Sequence, residues 1–167
     1  MSESARLVDQ FQRAHHGDPW HGSPVTAILA GVTAGEAARR PGGSAHSIWE
    51  IVLHMTGWRE EVARRATGAP AAEPQGGDWP SVGDPTPERW AAALAALDAS
   101  HAHLVAAVRD MTDVHLLKPT NDTRDPALGI GVSYYELFHG IVQHDAYHAG
   151  QIAILKKILG SARAAGE

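Results

Sequence analysis

The sequence has no cysteine. That removes disulfides, thiolate metal sites and cysteine nucleophiles from consideration. It also lacks an excess of basic charge: 14 Lys and Arg face 19 Asp and Glu, for a formal net charge of −5. A general nucleic-acid binder needs clustered Lys and Arg to neutralise phosphates, so that class is not expected. No apolar run reads as approaching a membrane span. The opening MSESARLVDQFQ lacks the basic flank and apolar stretch of a signal peptide. The expected setting is therefore cytoplasmic, with neither a membrane nor a nucleic acid as partner. Strand-like alternation is scarce. What is present is 44% hydrophobic residues over 167 positions, enough for a buried core and read as one domain spanning residues 1–167. Eleven histidines stand well above ordinary usage, and histidine is the commonest metal ligand.

Gly and Pro divide the chain into helical segments. The first long segment runs from about Ser2 to His16, with Leu7, Phe11 and Ala14 on one side. Ser23 followed by Pro24 reads as a cap and first residue of a short helix, and Thr33 with Glu36 as a capping box for one more turn. Ser47 and Glu50 form a capping box ahead of the second long segment. Its face is Ile48, Ile51, Val52, Met55, Trp58 and Val62. Thr86, Pro87 and Glu88 open the third, with Trp90, Leu94, Leu97, Leu104 and Val108 as its stripe. Ser133 and Glu136 open the fourth, whose stripe runs from Tyr134 to Leu159. Residues 69–86 and 118–132, rich in Pro and Gly, read as irregular connections. Four amphipathic helices of this length predict an all-α four-helix bundle. At about 3.3 Å per residue, the 69–86 connection can travel the bundle's length, so a crossover there is allowed but not demanded.

His144 and His148 are four apart, which stacks both imidazoles on one helix face within reach of a single ion. In a chain this rich in histidine, about one such pair is expected by chance. Placement adds weight: His148 falls near the centre of the apolar stripe and His144 about 40° to one side. A buried imidazole must be hydrogen-bonded or bound to metal. A third ligand would have to come from another helix. His54 flanks the stripe of the second long helix and His101 sits near the centre of the third. Periodicity leaves both open and slightly favours His101. His139 points away from its stripe, and His15, His16, His46 and His115 lie near segment ends, where solvation is expected. A zincin needs Glu where this chain has Asp145, and a ferritin-like di-iron site needs two E-x-x-H motifs where this chain has one, Glu136 to His139.

The stretches Ser47-Ile-Trp-Glu-Ile-Val-Leu-His54-Met-Thr-Gly-Trp58 and His139-Gly-Ile-Val-Gln-His144-Asp-Ala-Tyr-His148-Ala-Gly-Gln151, with the Trp20-His21-Gly22 connector, resemble the DinB/YfiT-like superfamily of metalloenzymes. The resemblance implies a bundle in up-down-down-up order with a long crossover between the second and third long helices. It also implies a divalent metal, zinc or nickel, on His54, His144 and His148, thereby selecting His54 over His101, and a homodimer. Some such relatives are thiol S-transferases using bacillithiol or mycothiol.

Three neutral imidazoles leave an ion doubly charged with an open position, the arrangement of catalytic zinc. Because the chain has no cysteine, a low-molecular-weight thiol would have to enter as co-substrate. The first expectation is a metal-dependent transferase or hydrolase acting on a small molecule, with S-transfer to a small electrophile foremost. Glu61 and Asp145 are its candidate catalytic or proton-handling groups. The second is a non-enzymatic metal-binding dimer whose triad is structural or sensory.

Overall fold

The computed structural model describes residues 1–123 and 131–164, with side chains as far as residue 160. Part of the expected 118–132 connection, residues 124–130, lies outside the described residues. Among the described residues the chain is all-α, with no strand and an isolated bridge between Pro119 and Ser133. In chain order the helices are α1 (Glu3–His16), α2 (Val25–Leu29), α3 (Ala34–Ala38), α4 (Ile48–Ala66), α5 (Pro87–Arg109), α6 (Asp113–Leu116) and α7 (Tyr134–Ala164).

Local chemistry sets most of the starts. Thr33 with Glu36 and Ser47 with Glu50 form reciprocal capping boxes at α3 and α4. The Ser133 hydroxyl accepts from the Glu136 amide while the Glu136 carboxylate accepts from the Ser133 amide, which closes the third box at α7. Thr86 caps α5 ahead of Pro87. Each such cap contributes about 1 kcal/mol. The short helix α2 departs from expectation: Pro24 occupies the cap position, no side chain caps it, and Ser23 lies outside. Proline can hold the extended cap conformation, so the helix starts one residue late. Helix α6, capped by Thr112, is not legible from periodicity because it is a single turn.

The long helices bury two apolar clusters. One gathers Ile48, Val52 and Met55 of α4, Trp90 and Leu97 of α5, and Ile152 and Leu155 of α7, with α2 and α3 against it. The other gathers Leu7 and Phe11 of α1, Val62 of α4, Leu104 and Val108 of α5, and Phe138 and Ile141 of α7. Along α4, α5 and α7, buried polar residues fall between the two clusters: Arg59, His101, and Asp145 with His148. That polar layer is where the site forms. Helix α5 corrects one expectation, because by length and composition it is long and apolar enough to cross a membrane. Its hydropathy comes largely from alanines, many of them exposed, while Trp90, Leu97, Leu104 and Val108 face the core.

Candidate metal centre

Helix α4 carries His54 and α7 carries His144 and His148. Their Nε2 atoms converge: His144 Nε2 lies 2.9 Å from His54 Nε2 and 3.1 Å from His148 Nε2. The three residues can offer ligand nitrogens that all lie within 4.8 Å of one another. Tetrahedral zinc with ordinary Zn–N bonds sets its nitrogens about 3.3 Å apart. His101 is not in this group, so the facing helix that completes it is α4, not α5.

The far side of two rings shows what the near side can hold. His54 Nδ1 lies 2.8 Å from the Asp78 carbonyl, which can only accept, so the Nδ1 proton is donated there. His148 Nδ1 donates to Gln151 Oε1 at 2.6 Å. Both imidazoles are held neutral. Burial pushes His54 down against the pull of the Asp78 carbonyl, with His144 adding to the fall. His148 is pushed down to about 4, first by burial and then by the neighbouring histidines. A neutral ring whose Nδ1 carries the proton presents a lone pair at Nε2. A proton on His144 Nε2 could serve one of these lone pairs only. The other would face nitrogen at about 3 Å, an arrangement that a divalent cation relieves. Three imidazole nitrogens are a donor set that could hold a divalent metal ion.

The 69–86 connection builds one side of the centre. Asp78 supplies its carbonyl to His54 and its carboxylate to the Trp58 indole N–H at 2.8 Å. Trp79 is sandwiched between His54, at 3.9 Å and 7°, and His46, at 3.6 Å and 5°. Close approach of chain to helix makes this possible: a Cβ on Gly57 would sit 3.1 Å from the Pro74 side chain. Gly76 and Gly77 both take positive φ, turning the chain back toward α4. Sequence reasoning missed Asp78 and Trp79. A glycine within α4, three residues beyond His54, was the available signal, since glycine costs helix stability unless a close approach needs it.

Asp145 and Glu61 occupy different surroundings. Asp145 is buried in an ion pair with buried Arg59 at 3.0 Å. Its second oxygen has no hydrogen bond and lies 3.9 Å from His144 Nδ1, which has none either. Glu61 is buried rather than an exposed charge, and accepts from Arg64, Arg65 and the Ala72 amide. Burial would raise its carboxyl, but those donors outweigh it and hold it below the usual range. Arg59 also reaches the Leu97 carbonyl and His15, a partner set invisible in the sequence.

Three histidines expected in solvent are at least half-buried: His15, His46 and His115, the last with its ring 5.0 Å from that of Tyr134. His15 is buried against His101, rings 4.2 Å apart, and bonds Asp98 at 2.8 Å, because α1 packs on α5 at that level. His46 is half-buried by its stack on Trp79. His139 is half-buried and pairs with Glu3, away from the triad.

Among known proteins, a family model described as the DinB superfamily matches residues 20–152, a span that takes in all three histidines. No curated protein and no solved structure matches the chain.

Proposed function

The chain belongs to the DinB superfamily, and from that premise we propose that it binds a divalent metal, zinc or nickel, on His54, His144 and His148 and works as a metal-dependent transferase or hydrolase. The observation that carries this is the convergence of three Nε2 atoms while two of the rings spend their Nδ1 protons on Asp78 and Gln151. Among the described residues the group has three members. Three protein ligands favour a site with an open position over a closed structural one. An ion held there would supply a Lewis acid that activates water or a thiol near neutral pH.

Each neighbouring residue then has a task. Asp78 and Gln151 fix the tautomers of His54 and His148. Trp79 covers the His54 ring and keeps water from that face. Asp145, anchored by Arg59, places a negative charge 3.9 Å from His144 Nδ1, which favours a cation on the triad. Glu61 braces the loop that brings Asp78 in, rather than handling a substrate proton. With no cysteine in the chain, the thiol of an S-transfer enters as co-substrate and the second substrate is a small electrophile.

The same reading takes the chain as one cytoplasmic domain with its four long helices in up-down-down-up order. Trp49 beside Trp90 and Glu60 beside His103 support α4 and α5 running together. His54 beside His148 and Arg59 beside Asp145 support α7 running opposite to α4. Exposed Tyr147, Ile154 and Ile158 share one face of α7 and support a homodimer.

The test is elemental analysis of the purified chain, followed by conjugation of an electrophile to bacillithiol, mycothiol, glutathione or coenzyme A. One metal per chain is expected, with turnover that both chelation and His148→Ala abolish. Background rates with all four thiols on fully metallated protein overturn S-transfer, and hydrolysis of activated esters is the next arm. Metal without turnover in either arm leaves the non-enzymatic metal-binding dimer.

A further inference from the structure

The three histidines are not equally buried. The His144 side chain is 27% exposed, against 7% for His54, and His148 is buried too. His144 is also the ligand that lines a cleft of about 270 Å³ between α4 and α7. Trp58, Val62, Leu137 and Ile141 give this cleft apolar walls. Among the described residues two charged ones stand at its margin, and both are committed elsewhere. Arg65 donates to Glu61 and the Ala72 carbonyl, and the Glu136 carboxylate accepts from the Ser133 amide and hydroxyl. Among the described residues no free charge there meets a ligand, so an ionic group entering the cleft would lose water without gaining a partner. A larger cavity of about 490 Å³, beside Trp90 and Leu94, contains none of the triad.

We infer that the cleft beside His144 is the substrate subsite of the metal centre and takes a small, uncharged, apolar body attached to one metal-binding head group. The inference rests on the metal reading above and specifies its substrate class. Its volume sits just below the usual range for small-molecule pockets, which sets a short chain or one ring as the limit.

Gly140 gives a clean test. It lines the cleft, and a Cβ built on it meets nothing within 4 Å. Its φ is not positive, so a side chain there adds bulk at the cleft's margin without straining α7. Wild-type, Gly140→Ala and Gly140→Leu proteins are loaded with cobalt(II), and metal content is measured first. Each is then titrated with acetohydroxamate, butyrohydroxamate and hexanohydroxamate, followed by the visible spectrum of the cobalt. In the wild type, affinity should rise about fourfold per added methylene, the ~0.8 kcal/mol of a buried CH₂, until the cleft is full. Gly140→Leu should keep its metal and its acetohydroxamate affinity while losing the gain with chain length, and Gly140→Ala should fall between. Chain-length-independent affinity in metallated wild type overturns the inference and leaves the metal reading standing. An unchanged gain in Gly140→Leu does the same. A wild type that takes up no cobalt, zinc or nickel overturns both.

Discussion

Acid should destabilise the metal-free protein well above the range where carboxylates titrate, and His101 is the residue that isolates the effect. His101 is buried on α5, faced by His15 and His16 from α1, Arg59 from α4 and Asp145 from α7. Burial, reinforced by repulsion of a second positive charge from His15, Arg59 and His16 and opposed by Asp145, pushes it down to about 3. In the unfolded chain it titrates near 6.5. The folded value is the lower one, so the unfolded state binds the extra proton. The stability tied to a neutral His101 is therefore complete above about pH 6.5 and is lost progressively as pH falls toward 3. At pH 5 the loss is about 1.5 pH units at 1.36 kcal/mol each, roughly 2 kcal/mol. For a chain of this size that corresponds to about 4–8 °C in Tm. His101→Phe keeps a flat ring against His15 and cannot titrate. With chelator present, Tm is read by circular dichroism at pH 7.5 and pH 5.0 for both proteins. The variant should lose about 4–8 °C less than wild type over that interval. Parallel falls would show that burial does not hold His101 neutral.

Three further outcomes follow from the centre itself. His54→Ala and His148→Ala should each lose most of the bound metal by elemental analysis, while His101→Ala retains it; the reverse pattern would move the site to α5 and α7. Chelation should lower Tm, since a ligand at one hundred times its dissociation constant adds about 2.7 kcal/mol to the native state; an unchanged melting curve with metal loss confirmed would make the triad ordinary core. Gly57→Val should weaken metal binding roughly tenfold, the scale of a lost hydrogen bond behind a ligand, because its side chain would push Pro74 and the Asp78 carbonyl away from α4; competition with a calibrated chelator reads this, and unchanged affinity would detach the loop from the site.

The features legible in the sequence are those decided by neighbours along the chain. The capping boxes at Ser47 and Ser133 need only residues three apart, and they start α4 and α7 where expected. The pairing of His144 with His148 needs only the helical repeat, and Leu7, Met55, Leu97 and Phe138 follow from the same repeat into the core. Wheel position could not choose the third histidine. It leaned toward His101 because it reports how near a residue lies to an apolar stripe, not which stripes meet. Only the packing of α4 on α7 brings His54 to 2.9 Å from His144, while α1 against α5 gives His101 to His15 instead.

The sequence by itself determined the four long helices, their buried faces and two of the three converging imidazoles, because each depends on interactions within about one or two turns. The tertiary structure alone decided that His54 completes the triad, that Asp78 and Trp79 back it, and that Arg59 ties Asp145 beneath His144. Those contacts join residues from 24 to 90 positions apart, and no local periodicity encodes which distant segments meet. It is settled by how the loop fits over Gly57 and how two apolar clusters enclose one polar layer.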